Sequence, residues 1–565
     1  MLSIPEQKKK LKNSKLMKTK IYDDILKILK KINPNCNKDF TVEIPNIAEH
    51  GDFSSNVALI NTKIIKMKPR DIAQKIADDL SKKRDYKSIE IAGPGFLNFK
   101  LANSLFYKEL QKIFNDKENY GSSNYGQRKK VLIEFISANP TGPLNIVSAR
   151  AGAYGDSLFR IMEHIGFEPF REFYINDAGN QVDIFAESLE IRYRELHGHE
   201  CEEFPFEAYH GEYIKDLAVE LNTIEGTKLF HMTEEDRLER MKNFALDEIH
   251  KMQVASLNRF DVQFDNWMSE KKLRLEGILE EALSYLAEAG CTYEKDDAVF
   301  FSSTKFGDEK DRVLIKADGN PTYLVPDIAY HLTKYNRGFD IIIDVLGPDH
   351  HGHVSKLRAA MKALELDDSK LEVVFLQHIN LLEDGEVVKM SKRAGKIVSM
   401  DDLLDEVGKD AARYFFISRK PSAHLDFDLE LAKKKSSENP VFYCQYAYAR
   451  INSILKKAKK AKLILKNFDE KSLSKLNKAD ELNLIKKMID FSSVLNLCAD
   501  NREPHRLAGY VHELAGMFHK YYAKYKIINE KNIELSLARL YLISAIQNVI
   551  SVSLGLMGIS SPKKM

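Results

Sequence analysis

Residues Lys389 to Arg393 read Lys-Met-Ser-Lys-Arg and follow the apolar run from Val373 to Leu382. Two lysines three positions apart can bring two ammonium groups to the oxygens of one polyphosphate. Gly385 and Gly395 flank the pentapeptide, and their conformational freedom would let the loop close over its ligand. The pentapeptide therefore indicates a loop that binds the phosphates of ATP, although a lysine-rich surface loop would have the same composition.

A second element lies far upstream and begins with the pattern of a buried strand, Val131 to Ile136. The strand runs into a turn rich in proline and glycine, Ser137 to Pro143, and helical spacing of apolar residues begins near Ala149. A strand, a tight turn and a helix N-terminus form the arrangement by which α/β sheets bind nucleotides. The sequence has neither a GxGxxG fingerprint nor a Walker A loop, which disfavours dinucleotide binding and P-loop chemistry.

Other elements must form the sheet that holds this turn. Strand-like runs return at Val313 to Ile315, Ile341 to Ile343 and Val373 to Leu376, with helical stretches between them. Strands that alternate with helices predict a parallel sheet covered by helices on both faces. From Asn439 onward apolar residues recur at helical spacing, which predicts a wholly helical C-terminal region.

The composition restricts the class of protein. With 565 residues, of which 44% are hydrophobic and 30% charged, the chain is expected to fold as three or four soluble domains. No apolar run approaches the roughly 18 residues that cross a membrane, and no secretory segment follows the N-terminus, so we expect a cytoplasmic protein. Five scattered cysteines without a CxxC pair predict reduced thiols, and neither they nor the histidines at 350, 351 and 353 predict a metal site.

Three further motifs, taken in order with the lysine pentapeptide, carry a family resemblance. They are Ser137-Ala138-Asn139-Pro140-Thr141-Gly142-Pro143-Leu144, Tyr174-Ile175-Asn176-Asp177-Ala178-Gly179-Asn180-Gln181 and Pro326-Asp327-Ile328-Ala329-Tyr330-His331. The chain resembles the class I aminoacyl-tRNA synthetases, and specifically the arginyl-tRNA synthetases of bacterial type. Shorter similarities, which extend the resemblance over essentially the whole chain, are at His50 to Phe53, Ala92 to Phe96, Asn439 to Val441 and Ser561 to Met565.

The resemblance implies a multidomain α/β protein. An α+β N-terminal tRNA-binding domain would span residues 1–120, and an all-α anticodon-binding domain would span 439–565. Between them, 121–438 would form a Rossmann-like parallel-sheet catalytic domain with a helical insertion at about 182–265. The implied reaction activates L-arginine with ATP and Mg²⁺ as the substrate complex, without a bound prosthetic group, and attaches it to the 3′ end of tRNA(Arg). We expect a cytoplasmic monomer that acts in translation.

One motif departs from the family. The family's first ATP motif ends in His-x-Gly-His, and this chain has Asn145-Ile146-Val147-Ser148 at those positions. The two imidazoles that donate hydrogen bonds to the phosphates are absent, and losing one donor of this kind typically costs about two to three orders of magnitude in rate. Asn145 and Ser148 can still donate neutral hydrogen bonds. Because the lysine pentapeptide and the amino-acid pocket are intact, we predict an active enzyme in which these two residues replace the histidines.

The resemblance also implies a role for each site residue. Arginine selection needs carboxylates that meet a planar guanidinium in a fork geometry, and the resemblance gives this role to Asp327 and Glu270. The residues assigned to arginine are Glu134, Asn139, Glu270, Tyr323, Asp327 and His350. Those assigned to ATP are Pro140, Gly142, Pro143, Leu144, Val147, Met390 and Ser391, and those assigned to the chemistry are Asn145, Ser148, Lys389 and Lys392.

Two other functions are compatible with parts of the sequence. The altered ATP motif would suit a catalytically impaired paralogue that binds tRNA or acts in regulation. An adenylate-forming transferase that does not use tRNA would share the ATP site, but it would leave the helical C-terminal region without a purpose. The net charge of +2 does not separate these functions, since the lysine runs at 8–20 and 456–462 could contact RNA or be solvated surface.

Overall fold

The structure is a computed structural model, and it describes residues 17–45, 47–199, 207–388, 399–463, 465 and 468–565. Four residues predicted for the ATP site, Lys389, Met390, Ser391 and Lys392, lie outside the described residues. The described chain forms an N-terminal α+β region, a central α/β region and a C-terminal helical region, which confirms the predicted fold class.

The N-terminal region combines four helices with a four-stranded antiparallel sheet of order β1-β2-β4-β3. Its strands are β1 (Val42–Glu43), β2 (Phe53–Ser55), β3 (Tyr86–Ala92) and β4 (Phe96–Leu101), and its helices are α1 (Met17–Ile32), α2 (Val57–Ile65), α3 (Pro69–Leu80) and α4 (Asn103–Asp116). In α3, Ile72, Ile76 and Leu80 are fully buried at a spacing of one helical turn. One face of this helix therefore belongs to the core.

The central region contains a five-stranded parallel sheet and two small three-stranded sheets. Its strands are β5 (Lys130–Glu134), β6 (Glu168–Ile175), β7 (Asn266–Ser269), β8 (Thr292–Lys295), β9 (Ala298–Phe301), β10 (Arg312–Ile315), β11 (Ile341–Leu346), β12 (Leu371–Phe375), β13 (Ile379–Glu383), β14 (Glu386–Val387) and β15 (Leu425–Asp428). The parallel sheet has the order β12-β11-β5-β6-β7. Its central strand β5 buries Val131, Leu132 and Ile133 completely, as expected for a strand covered on both faces.

Two sequence predictions for this region are wrong in detail. Val313 to Ile315 belongs to β10, which pairs antiparallel with β9, and so does not join the parallel sheet. A short apolar run specifies an extended conformation but not the partner, and here the nearby hairpin is the partner. The first strand ends at Glu134 and not at Ile136, because Ile136 and Ser137 have left-handed backbone angles (φ 71° and 43°).

Helices cover the parallel sheet and form the insertion between β6 and β7. They are α5 (Ile146–His164), the insertion helices α6 (Asn180–Leu196), α7 (Glu212–Glu225) and α8 (Glu234–Arg259), then α9 (Glu270–Leu275), α10 (Ile278–Glu288), α11 (Leu324–Asn336), α12 (His351–Ala363), α13 (Met400–Val407), α14 (Lys409–Ile417) and α15 (Leu429–Lys433). Helix α5 begins at Ile146, a turn before the predicted Ala149. A Cβ at Gly155 would overlap the ring of Phe135, so this glycine lets α5 lie close against the chain that follows β5.

The C-terminal region is helical throughout its described residues. Its helices are α16 (Pro440–Lys460), α17 (Glu470–Leu473), α18 (Ala479–Ile489), α19 (Phe491–Asp500), α20 (His505–Lys524) and α21 (Ile533–Leu556). By length and composition α21 is apolar enough to cross a membrane, contrary to the expectation that no segment would be. Inside the fold 67% of its apolar window is buried, as is typical of the central helix of a bundle.

Arg413 of α14 is a fully buried guanidinium where three parts of the chain meet. It pairs with Asp156 of α5, and it donates from Nη1 to the Phe260 carbonyl at 3.0 Å and from Nε to the Met557 carbonyl at 2.7 Å. A Cβ at Gly558 (φ 67°) would overlap the guanidinium, so the glycine leaves room for it. These contacts join the parallel-sheet region, the end of the insertion and the last helix.

Replacing Arg413 by methionine would leave Asp156 buried without its main cation. Breaking a buried pair typically costs about 3–5 kcal/mol, and we expect about 3 kcal/mol here because Arg160 still contacts Asp156. Urea denaturation followed by circular dichroism measures the change. Lys434→Met, which breaks an exposed pair with Glu438, is the control and should leave the midpoint unchanged. A loss below 1 kcal/mol for Arg413→Met would show that the junction contributes little.

Candidate active site

Three carboxylates lie side by side across the parallel sheet. The strand register places Asp344 of β11 beside Glu134 of β5, and Glu134 beside Glu172 of β6. Side chains at registered positions point to the same face, so three like charges meet near the carboxyl ends of the strands. All three residues are buried. Arg337, just past the end of α11, donates to both oxygens of Glu172 at 2.5 and 2.7 Å.

Lys334 of α11 supplies the charge for the other two acids. Its fully buried Nζ lies 2.5 Å from Glu134 Oε2 and 2.7 Å from Asp344 Oδ1. His331, one turn earlier, places Nε2 2.7 Å from Asp344 Oδ2. Burial alone would raise the pKa of Asp344, but the charge of Lys334 and the hydrogen bond with His331 lower it well below its usual range. Burial would likewise lower the pKa of Lys334, and the two carboxylates raise it. The group is therefore a charged cluster that fixes α11 to the sheet.

Tyr174 interacts with a second group of carboxylates. The Tyr174 hydroxyl donates to Glu270 Oε2 at 3.0 Å. Burial raises the pKa of Tyr174, and the negative charges of Glu270, Asp327 and Glu134 raise it further. Of the three acids predicted for the arginine pocket, Glu270 thus bonds to this phenol, and Asp327 and Glu134 act on it through their charge. Arg274, one turn beyond Glu270, donates to Glu270 Oε1 from Nε at 3.0 Å and from Nη2 at 2.6 Å.

Asp327 lies in the first turn of α11 and contacts two histidines. Its Oδ2 is 2.7 Å from His353 Nε2, and its backbone carbonyl is 2.8 Å from His331 Nδ1. The ring of His350 stands edge-on to His353 with 6.5 Å between their centroids, so this predicted arginine contact lies on the same side as Asp327. Tyr323 precedes the helix and is 81% exposed, which leaves its ring open to a ligand.

The turn after β5 is strained and held at its start. A β-branched residue such as Ile136 rarely adopts positive φ, and strain of this kind costs of order 1–3 kcal/mol at functional sites. Ser137 fixes the turn because its Oγ donates to Glu134 Oε1 at 2.8 Å and accepts from the Tyr174 amide at 3.2 Å. The turn is therefore tied to both β5 and β6.

The rest of the loop leads to helix α5. Asn139 is exposed, and its amide donates to Gln181 Oε1 at 2.6 Å, at the start of the insertion. Pro140 and Leu144 are buried, whereas Gly142 and Pro143 are partly exposed. The predicted ATP residues of this loop therefore form a continuous segment, with two of them anchored in the core.

Asn145 and Ser148 form the N-terminal cap of α5. Asn145 Oδ1 accepts from the Ser148 amide at 3.0 Å and from the Ser148 hydroxyl at 3.3 Å. Within the described chain the Asn145 Nδ2 group has no hydrogen-bond partner. Val147, at the position of the family's glycine, is 51% exposed. The motif that lacks histidine is thus a capped helix N-terminus, which carries partial positive charge.

The described residues on either side of the lysine pentapeptide are anchored. The Val388 amide donates to the Leu381 carbonyl at 2.8 Å, and the Met400 amide donates to the Leu144 carbonyl at 2.7 Å. The second bond connects the start of α13 to the predicted ATP loop. Among the described residues, no group of three or more histidine, cysteine, aspartate or glutamate side chains is arranged to hold a metal ion.

Several site residues carried no predicted role, and Tyr174, Lys334 and His353 are examples. Tyr174 stands in a motif that contributed to the resemblance, and Lys334 lies seven residues after Asp327, a spacing that places both on one helix face. His353 belongs to the histidine-rich segment already noted. The types and spacings of these residues can be read from the sequence. The sequence does not show, however, whether a lysine such as Lys334 is buried or exposed, because burial depends on the fold.

Three family models match successive parts of this chain. They are the arginyl tRNA synthetase N terminal domain at residues 19–101, the catalytic domain of class I (R) tRNA synthetases at 109–437 and the DALR anticodon binding domain at 444–565. The second model alone covers more than half of the chain.

Relatives match over nearly their full lengths. The arginine–tRNA ligase of Carboxydothermus hydrogenoformans is 43% identical over 527 residues, which are 93% of this chain and 94% of that protein. The ligase of Caldanaerobacter subterraneus is 41% identical over 556 residues, 97% and 99% of the two chains. The structure of Thermus thermophilus arginyl-tRNA synthetase shares the fold with a TM-score of 0.75 at 20% identity, over 97% of this chain and all of that one. The chain belongs to the arginyl-tRNA synthetase family of class I aminoacyl-tRNA synthetases.

Proposed function

We propose that the protein joins L-arginine to tRNA(Arg) in two steps. In the first, an oxygen of the arginine α-carboxylate attacks the α-phosphate of ATP, which enters as its magnesium complex, and pyrophosphate leaves. In the second, a hydroxyl of the terminal ribose of tRNA attacks the activated carbonyl, and AMP leaves. Every residue proposed for the site comes from one chain, so a monomer suffices, and we assign it to translation in the cytoplasm.

The observation that carries this proposal is that Glu270 bonds to the Tyr174 hydroxyl while the charge of Asp327 also acts on that phenol. The two acids come from α9 and α11, and Glu270 directly follows β7 at the carboxyl end of a parallel strand, where α/β folds bind their ligands. Glu270 Oε1 already accepts both bonds of the Arg274 guanidinium, so a substrate guanidinium would bond to Oε2, which also accepts from Tyr174. We assign Glu270 and Asp327 to the substrate guanidinium, with Tyr323 and His350 at the pocket edge.

The other predicted arginine contacts would hold the pocket's inner end. Asn139 is assigned to the α-amino group because it is exposed at the start of the loop. Glu134 is engaged by Ser137 and Lys334, so we assign it to the pocket floor, from which its charge still acts on Tyr174. Lysine would be rejected, because an ammonium lacks the planar fork that can pair two carboxylates at once and would replace only part of the bonds that a guanidinium makes.

The N-terminus of α5 and the lysine pentapeptide would bind the phosphates of ATP. We assign seven residues to ATP binding: Pro140, Gly142, Pro143 and Leu144 of the loop, together with Val147, Met390 and Ser391. Asn145 would donate from its amide and Ser148 from its hydroxyl as charge develops. Lys389 and Lys392 would stabilise the departing pyrophosphate. Attack on phosphorus depends mainly on positioning and charge stabilisation, so these groups suffice without a covalent nucleophile.

The proposal is tested with the purified protein by two assays. Exchange of labelled pyrophosphate into ATP should depend on arginine and not on lysine, measured with and without tRNA. Charging of tRNA(Arg) should then follow with labelled arginine. Exchange without charging would indicate an adenylate-forming enzyme that does not use tRNA. The absence of both activities, with retained tRNA binding, would indicate the impaired paralogue.

Asp327→Asn tests the arginine pocket. The variant keeps the size of the side chain but removes the charge, and hydrogen bonds to charged groups are worth about 1.5–3 kcal/mol. We expect the KM for arginine to rise at least tenfold while the KM for ATP changes less than threefold. Asp349→Asn, an exposed acid nearby, is the control for a general loss of negative charge. An unchanged arginine KM would contradict the assignment.

Asn145 can be tested for two separate roles. Asn145→Ser keeps an oxygen for the helix cap but loses the amide donor, whereas Asn145→Ala with Ser148→Ala loses both, and losing a cap costs about 1 kcal/mol. If the amide meets the phosphates, both variants should lose at least tenfold in kcat for exchange, but only the double variant should be less stable. Full activity of Asn145→Ser would show that the amide group of Asn145 is not needed at the phosphates.

A further inference from the structure

The helical insertion contacts the predicted ATP loop directly. Its longest helix, α8, begins at a cap formed by Thr233, whose hydroxyl accepts from the Asp236 amide at 3.2 Å, and it returns the chain to the sheet. Gln253 lies near the end of this helix and is only 2% exposed. A buried primary amide requires partners for its N–H groups, and these partners show what the residue holds in place.

The hydrogen-bond acceptors of the Gln253 amide lie in the loop between β5 and α5. Its Nε2 donates to the Asn139 carbonyl at 3.2 Å and to the Gly142 carbonyl at 2.9 Å. These loop residues belong to no helix or strand, so their carbonyls depend on side-chain donors or solvent. A single amide group therefore fixes the separation of two points in the predicted ATP loop.

Tyr213 of α7 holds the same segment from a second insertion helix. Its hydroxyl donates to the Thr141 carbonyl at 2.7 Å. A Cβ at Gly142 would lie 3.0 Å from that hydroxyl, so the phenol packs directly on the glycine. Burial raises the pKa of Tyr213, which keeps the hydroxyl protonated as a donor. Two insertion side chains thus bind three carbonyls of four consecutive loop residues.

Helix α8 also contacts the element that follows the lysine pentapeptide. Ser256, one turn after Gln253, hydrogen-bonds to the Asp401 carboxylate, and Arg259 Nη1 lies 3.1 Å from Asp401 Oδ1. Asp401 is in the first turn of α13, whose first residue, Met400, bonds to the Leu144 carbonyl at 2.7 Å. One rigid helix therefore contacts the predicted ATP loop and the segment that continues from the lysines.

We propose that Gln253 and Tyr213 are positioning residues for ATP: they hold the backbone of Asn139 to Gly142 in the conformation that receives the nucleotide. The inference rests on the proposed function and adds that the insertion is needed for activation of arginine. Neither side chain is proposed to touch the substrate. The effect is on geometry, since a small displacement of a reacting group lowers the rate of a step that depends on alignment.

Two variants test this inference in the full-length protein. Gln253→Met keeps the approximate volume but removes the donors, and Tyr213→Phe removes only the hydroxyl. We expect kcat/KM for ATP in arginine-dependent pyrophosphate exchange to fall at least tenfold for Gln253→Met and about threefold to tenfold for Tyr213→Phe. Gln253→Asn shortens the same amide and should recover part of the loss if donation to the loop is what matters.

The matched control is Arg237→Met, in the same helix. Arg237 is buried and pairs with Glu190 at 2.7 Å inside the insertion, away from the loop. The Arg237→Met variant should lower the unfolding midpoint at least as much as Gln253→Met does, but it should leave kcat/KM for ATP within twofold of the wild type. If kcat/KM for ATP fell across the variants only in proportion to the fall in the unfolding midpoint, the positioning role would be refuted.

The possible failures are distinguishable. A wild-type protein without arginine-dependent exchange would refute the proposed function itself. An active wild type, with both Gln253→Met and Tyr213→Phe within twofold of it, would refute the positioning role and leave the function standing. If Gln253→Met does not fold, the kcat/KM for ATP of Tyr213→Phe tests the positioning role by itself. Removing one hydroxyl from a partly exposed ring leaves the packing of α7 intact.

Discussion

The ammonium group of Lys334 is the constraint on which the central sheet depends. Strand register sets Asp344 and Glu134 side by side, and two adjacent buried carboxylates would not both stay charged without a cation between them. The cation must come from a helix packed on that face, and this requirement fixes the position of α11. Asp327 lies in the first turn of the same helix, so the position of this proposed contact for the substrate arginine follows from the charge balance deeper in the fold.

The predicted ATP loop depends on a different support. Its residues are strained at Ile136 and Ser137 and have no ladder or helix to satisfy their carbonyls. The sheet holds only the beginning of the loop, through Ser137, while the insertion holds the middle through Gln253 and Tyr213. The sheet thus supports the residues proposed to bind arginine, and the sheet and the insertion together support the loop proposed to bind ATP.

The missing histidines have a physical consequence at the start of α5. In their place Asn145 caps the helix, and a capped N-terminus presents backbone N–H groups and partial positive charge to an anion. The cap uses the oxygen of Asn145 and leaves its amide nitrogen available on the exposed side. The sequence change therefore keeps an anion-binding geometry, although neutral donors interact more weakly with phosphate than cationic imidazoles do.

The sequence by itself determined the fold class, the family and the types of residue at the proposed site, because motif order and local apolar spacing depend on neighbours along the chain. It also predicted the strand, turn and helix at Val131 to Ser148, with errors of a few residues where backbone angles at Ile136 and the Asn145 cap decide the boundaries. Only the tertiary structure decided that Val313 to Ile315 joins a separate sheet and that α21 is buried inside the protein. It likewise decided that Lys334 is buried between two acids and that Gln253 bonds to the ATP loop. These outcomes rest on contacts between residues distant in sequence, and a local pattern specifies neither the strand register nor the helix packing that creates them.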